Sequence, residues 1–196
     1  MAAGETSAII LAGGQSRRMG QDKALLPING MTLLEHVVAS LLRMATEVVV
    51  VADVQDKYVL PCGRVLADTF PGSGPVGGIL TGLTALREGR HIVVACDMPL
   101  LNVAVLQLLL KAHTPEWDAV VPEINGQPEP LCAVYAHTAA PRLMRFLENG
   151  GRAAREALSH LRVKRVGEGV LRRIDPELAC FTNVNTPEDL ARLHRR

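Results

Sequence analysis

Aromatic residues are scarce in this chain. Three Phe, two Tyr and one Trp among 196 residues leave too few ring faces for a row of stacked bases, which excludes a single-stranded nucleic-acid platform. Charge of one sign is also missing. With 21 Lys and Arg against 20 Asp and Glu, the formal net charge is +1, so no broad field exists to hold a polyanion or an anionic lipid surface, and neither nucleic acid nor membrane is expected as a partner. Paired cysteines are absent. Cys62, Cys96, Cys132 and Cys180 stand singly and far apart, which fits neither a zinc knuckle nor a redox CxxC and implies small buried hydrophobes or free thiols in a reducing cytosol. No apolar run approaches the ~18 residues of a membrane span, and the N-terminal MAAGETS lacks the basic and hydrophobic regions of a secretory signal. A cytoplasmic protein is expected. The six histidines form no H-E-x-x-H pair and no G-x-S-x-G elbow occurs, so zinc-enzyme and hydrolase chemistry find no support.

What is present is a core-forming chain with βα rhythm. A hydrophobic content of 48% is enough for one sizeable core, and residues 1–196 read as one domain without repeats or linkers. Apolar runs predict strands at Ser7 to Leu11, Glu47 to Ala52, Arg64 to Leu66, His91 to Cys96, Ala119 to Pro122 and Leu131 to Tyr135. Most lack polar alternation, as buried strands of a parallel sheet do. Helical patterns fall between them. Thr32 to Met44 opens with a capping box (Thr32, Glu35), Pro75 to Arg87 is Gly-rich, and Asn102 to His113 is leucine-rich behind an Asn cap. Residues 139–160 hold two helical segments split at Gly150-Gly151, and a last helix starts at Thr186 with Asp189 at its capping-box position. Asn29-Gly30 marks a tight turn, with Ala24 to Ile28 a short extended piece before it, and NGQPEP around residues 125–130 is a polar loop or β-ribbon. These elements make an α/β protein of three α/β/α layers, Rossmann-like, around a mainly parallel sheet.

The most informative stretch is AIILAGGQSRRMGQDK, residues 8–23. Gly13 and Gly14 follow an apolar strand and can let backbone N–H groups approach an anion, with φ > 0 available to both. Arg17, Arg18 and Lys23 add donors for a triphosphate or a leaving pyrophosphate. The spacing matches neither G-x-x-x-x-G-K-[ST] nor G-x-G-x-x-G. Elsewhere Asp97 ends the apolar strand HIVVAC, where a carboxylate can share Mg²⁺ with substrate phosphates or simply hold a turn. Asp68 ends VLAD before TFPGSGPVGG, placed to meet a base or ribose edge or to cap a turn.

The pattern L-A-G-G-x-S-x-R-M-G-x-x-K, Leu11 to Lys23, resembles the signature loop of the nucleotidyltransferases related to molybdenum cofactor guanylyltransferase. The resemblance covers nearly the whole chain. It implies a nucleotidyltransferase fold and transfer of GMP from GTP to molybdopterin or its molybdate adduct. Arg18, Lys23 and Asp97 become the implied catalytic set, with nucleotide contacts from Leu11, Ala12, Gly13, Gly14, Lys23, Asp53, Asp68, Gly78 and Asp97. Gly74, Pro75 and Gly78 match the family's G-P-x-x-G turn after Asp68, which brings a helix toward the base, although tight helix packing explains such glycines equally. The segment NVNTP resembles a second family motif. It implies Asn185 beside Asp97 as Mg²⁺ support, and Asn183 on the acceptor side with a turn-forming amide as its alternative. Gly126 to Tyr135 resembles the acceptor segment E-P-L-x-A-x-Y, with Gln127 and Glu129 toward the pterin. Arg152 and Arg155 are then candidates for the acceptor phosphate, or else solvated helix arginines. At Val51 the chain departs from the asparagine often found there, leaving Asp53 as the nearest polar side chain.

Mg²⁺ is the implied cofactor, and GTP and molybdopterin are the implied substrates. A helper GTPase, molybdenum-insertion proteins and apo-molybdoenzymes would be transient contacts of a monomer. The neighbouring alternatives are a cytidylyltransferase on the same cofactor, whose loop usually reads L-A-A-G, a more distant sugar-phosphate or phospholactate nucleotidyltransferase, and a non-enzymatic cofactor escort. The second glycine of the loop favours guanine, and Lys23, Asp97 and Asn185 together favour turnover.

Overall fold

A computed structural model describes residues 6–13, 22–60, 62–186 and 189. Its centre is the uninterrupted apolar strand β1 (Ser7–Leu11), flanked in parallel by β4 (Glu47–Ala52) and β6 (Arg90–Ala95). Such strands carry no polar face because both faces are covered. Ala8 and Ile10 point into one core with Val48, Val50, Ile92 and Val94, while Ile9 and Leu11 point into another with Val49, Val51 and Val93. The first core is closed by α1 (Leu33–Leu42) and α3 (Val103–Ala112), the second by α2 (Gly74–Ala85) and α4 (Ala140–Glu148). The expected three layers follow.

Beyond β4 the sheet ends in β5 (Arg64–Ala67), parallel to it. On the other side β9 (Cys132–Ala136) pairs antiparallel with β6 and with β7 (Ala119–Ile124). β10 (Val163–Gly167) then lies parallel to β7 at the far edge. The strand order is β10-β7-β9-β6-β1-β4-β5, with β8 (Gln127–Pro128) as a ribbon on β7. Asn125 and Gly126, both at positive φ, turn that ribbon, so the NGQPEP stretch is a hairpin. A second small hairpin joins β2 (Pro27–Ile28) to β3 (Met31–Thr32) through Asn29 and Gly30, again both left-handed.

The helix caps are those expected. Thr32 and Glu35 bond reciprocally at α1, and Asn102 accepts from the Ala104 amide at α3. Thr186 and Asp189 also exchange amide bonds, although the rest of that final segment lies outside the described residues. Three expectations need revision. The piece expected to be extended from Ala24 to Ile28 opens instead within a 3-10 turn, Lys23–Leu25, because Asp22 caps it, and only Pro27–Ile28 is a strand. The second segment of 139–160 shrinks to α5 (Ala154–Ala157) and a 3-10 turn. β10 was not expected at all; Lys164 and Arg165 interrupt its apolar character, as an edge strand tolerates. A four-residue α6 (Glu168–Leu171) follows it.

Two of the glycines in α2 explain how closely that helix lies on the sheet and on the turn that precedes it. A Cβ on Gly82 would sit 2.5 Å from the Ile9 side chain, and one on Gly77 would sit 2.8 Å from the Phe70 carbonyl. No helix among the described residues is long and apolar enough to cross a membrane.

Candidate functional site

The chain runs outward from β1 through β4 to β5, then returns to place β6 on the other side of β1. That reversal makes the carboxyl ends of β1 and β6 a topological switch point, where an open α/β sheet leaves a crevice for a ligand. Four successive strand ends line this pole: Asp97 after β6, Ala12 and Gly13 after β1, Asp53 after β4, and Asp68 after β5. Register keeps them level. The Cys96 amide donates to the Leu11 carbonyl, the Ala12 amide to Val51, and the Asp68 amide to Ala52.

At the switch point Lys23, Asp97 and Asn185 meet. The Lys23 ammonium donates to Asn185 Oδ1 at 2.7 Å and lies 3.5 Å from Asp97 Oδ2. Asp97 does not cap α3, whose cap is Asn102. Burial raises its carboxyl pKa above the ordinary carboxylate value, with the Lys23 charge pulling the other way. A half-buried acid held against one cation on a rigid strand end is a site for further positive charge.

Asn185 arrives from 162 residues along the chain, and the reason lies in its neighbour. Val184 is fully buried with Leu26, Ile28 and Leu33, and its amide donates to the Asp97 carbonyl at 2.8 Å. One apolar side chain thus anchors a polar segment beside both Lys23 and Asp97. Asn183, on the other side of the anchor, is exposed.

The chemistry of the oxygen donors fits Mg²⁺. Asp97 and Asn185 already converge on one cation, and among the described residues no group of three or more His, Cys, Asp or Glu could form a complete protein cage. Mg²⁺ takes one or two protein ligands and completes its shell with water and substrate phosphates, which is what this pair leaves room for.

The remaining candidates fall in distinct places. Leu11 and Ala12 are buried at the end of β1, and Gly13 is exposed beyond them. Gly13 does not use positive φ, and a Cβ there would make only ordinary contacts at 3.9 Å, so its expected backbone freedom is not exercised. Gly14, Arg17 and Arg18 lie outside the described residues. Asp68 Oδ1 accepts from the Phe70 amide and from the Thr81 hydroxyl, each at 2.9 Å, so one oxygen holds the turn into α2. Gly78 is buried with Leu11 Cδ2 3.0 Å from where its Cβ would be, which is the helix-packing use of that glycine. Asp53 is bound by Lys57 at 2.7 Å, and that bond holds its carboxyl below the usual range. Val51 is buried and offers no polar contact.

On the acceptor side Arg155 donates to Glu129 at 2.9 Å and to the Pro128 carbonyl, joining two candidates across the hairpin. Arg152 behaves differently. Its guanidinium donates to the Leu147 and Gly151 carbonyls, closing the end of α4. Gln127 is exposed on β8.

Several participants were not legible beforehand. Asp22 and Tyr58 form a bonded group next to Lys23, and Lys57 bonds to both Asp22 and Asp53. The i,i+4 spacing of Asp53 and Lys57 was the available signal. Cys132 and Cys180 are buried and Cys62 is an exposed free thiol, the two states expected. A cavity of about 1580 Å³ opens at the opposite pole, around Ser7, Thr84, His91 and His137, and contains none of the residues above.

Residues 8–165 match the family model of the MobA-like NTP transferase domain. A protein of Chloroflexus aggregans named probable molybdenum cofactor guanylyltransferase is 38% identical, covering 94% of this chain and 91% of its own. Molybdenum cofactor guanylyltransferase of Desulfosudis oleivorans is 36% identical over 93% of this chain and 91% of its own. Among solved structures, molybdopterin-guanine dinucleotide biosynthesis protein A of Archaeoglobus fulgidus superposes with a TM-score of 0.82 at 31% identity, covering 96% of this chain and 97% of that one.

Proposed function

Because this chain belongs to the MobA-like NTP transferase domain family, a family of nucleotidyltransferases, we propose that it transfers GMP from GTP to the terminal phosphate of molybdopterin and releases pyrophosphate. The observation that carries the reading is the convergence of Lys23, Asp97 and Asn185 at the switch point between β1 and β6.

The reaction forms a bond from an acceptor phosphate oxygen to the α-phosphorus of GTP. It breaks the bond from that phosphorus to the bridging oxygen, whose electron pair leaves with pyrophosphate. A phosphate monoester is largely dianionic near neutral pH, so the nucleophile needs no protein base. A protein nucleophile is equally unnecessary. Cys96, the thiol next to the site, is pushed up to about 12 by burial and by Asp97 beside it, and remains protonated.

What the chain supplies is position and charge. Lys23 stands ready to exchange its Asn185 contact for phosphate oxygens and to hold the departing pyrophosphate. Arg18 and the Gly13-Gly14 backbone take the same side, on the strength of the motif. Asp97 and Asn185 would hold Mg²⁺, which when bound supplies positive charge to the substrate phosphates. Asp53 and Asp68, at the next two strand ends, take the nucleoside together with Leu11, Ala12 and the turn before Gly78. The hairpin bearing Gln127 and Glu129, with Arg155 behind it, takes the pterin end, alongside Asn183, whereas Arg152 is left to close α4. On this assignment the protein works in the cytoplasm, where transient transfer of product to apo-molybdoenzymes follows.

Incubation with each of the four NTPs, Mg²⁺ and molybdopterin, followed by mass analysis, tests the reading. Molybdopterin guanine dinucleotide is the expected product. Formation of the cytosine dinucleotide, or hydrolysis without transfer, would replace the assignment.

A further inference from the structure

We infer that Tyr58, with Lys57 beside it, is a positioning residue that sets Lys23 for the triphosphate by tying the end of β1 to Asp22. The inference rests on the nucleotide-binding reading of the switch point, and not on which base or acceptor is used.

Tyr58 is 5% exposed and its ring packs into the core under α1. Its hydroxyl lies 3.1 Å from the Ala12 carbonyl and 2.9 Å from Asp22 Oδ2, so its single proton is shared between them. Burial, with the Asp22 charge, raises the phenol far above its ordinary pKa, which keeps that proton in place. Asp22 Oδ2 also accepts from Lys57 at 2.9 Å, and Lys57 continues to Asp53 at 2.7 Å. The other oxygen of Asp22 accepts from the Ala24 amide and caps the turn that begins with Lys23.

A continuous chain of contacts results. It runs from the carboxyl end of β1 through Tyr58 and Asp22 to the first residue of the capped turn, and from Lys23 to Asp97 after β6. Ala12 and Asp22 bracket the heart of the signature motif, so fixing their separation fixes where the motif's last cation begins. Lys23 has a long, freely rotating stem, and a free stem spends binding energy on ordering. Anchoring its backbone on two sides reduces that cost. Lys57 compensates a carboxylate that would otherwise compete with the triphosphate for Lys23.

A residue acting through Lys23 loses its influence once Lys23 no longer depends on exact placement. Tyr58→Phe, Lys23→Arg and the double variant form the cycle. Affinity for each of the four NTPs with Mg²⁺ is read by ligand-observed NMR, which reaches millimolar dissociation constants. Tyr58→Phe keeps the ring and removes a hydrogen bond to a charged group. It should weaken the best-bound NTP about tenfold in the parent and less than about twofold in the Lys23→Arg background, with the same fall in thermal midpoint in both. Unchanged affinity in Tyr58→Phe overturns the inference, as does an equal loss in both backgrounds. Should Tyr58→Phe fail to fold, Lys57→Met, which alters a partly exposed side chain outside the core, runs through the same cycle, and the same two results overturn the inference. The ranking of the four NTPs decides the guanine assignment separately.

Discussion

Replacing Asp97 by Asn preserves shape and removes one negative charge, which isolates the electrostatic contribution of this carboxylate. Asp97 Oδ2 is 3.5 Å from the Lys23 ammonium, with the two side chains each 19% exposed. At that separation and an effective dielectric of 20, a unit charge is worth about 5 kcal/mol to a neighbouring cation, an upper bound before residual solvent screening. Discounting for the open side of the crevice leaves roughly 3 kcal/mol of transition-state stabilisation, or a loss in turnover of about a hundredfold or more. Stability should move the other way. Burial raises the Asp97 pKa in the folded chain, so its ionisation opposes folding as pH rises through that value. No such penalty exists below the unfolded carboxylate range. Asp97→Asn should therefore melt at the same temperature or higher at neutral pH, with the difference vanishing in acid. The Asp97 carbonyl, which accepts from Val184, is untouched by the substitution. Initial rates at saturating Mg²⁺ and thermal melts between pH 3 and pH 8 give both halves. A variant that unfolds earlier yet turns over at the parent rate would refute the reasoning, because Asp97 would then be a structural residue.

Four further outcomes are expected. GTP should react at least about tenfold better than CTP, a difference of ~1.4 kcal/mol, and equal turnover would remove the guanine assignment. Arg155→Ala should weaken molybdopterin binding in isothermal titration while sparing GTP, because Arg155 braces Glu129 and the Pro128 carbonyl. Arg152→Ala should instead lower the melting midpoint by the equivalent of about 1 kcal/mol through loss of its bonds at the end of α4. Asp118 is fully buried and bound by Arg162, Arg142 and Thr138; burial raises its pKa, but the bonds from Arg162 and Thr138 outweigh it and hold the pKa below the ordinary value. Its stabilisation is present above the unfolded carboxylate pKa and lost as pH falls through the folded one. Asp118→Asn should thus be clearly less stable than the parent in denaturant titrations at pH 7, with the gap narrowing below about pH 4.

The central sheet was readable because its strands are apolar throughout, and only burial on both faces explains such runs as Val48 to Ala52. Reciprocal caps were readable because they are local, as at Thr32 and Glu35. β10 was not, since its pairing with β7 depends on an edge position that no local pattern announces. The site divides along the same line. Asp97 and Lys23 stand where an apolar strand and a fixed-spacing motif put them. Val184 and Tyr58 act over long separations, and their meaning appears only when Leu26 and Ala12 are found against them. Arg152 shows the converse: a cation near an expected anion site whose hydrogen bonds all go to its own backbone surroundings.

The path of the chain after β10 carries a consequence for how the enzyme comes into being. From that far edge it crosses back over the α3 side, burying Leu171, Leu178 and Cys180, before Val184 seats Asn185 at the sheet's middle. Synthesis is directional, and N-terminal structure forms first. Every strand of the sheet is therefore made before Asn185, the last oxygen donor proposed for this pole. The scaffold thus precedes the proposed hold on Mg²⁺, which closes only when the segment after β10 folds back.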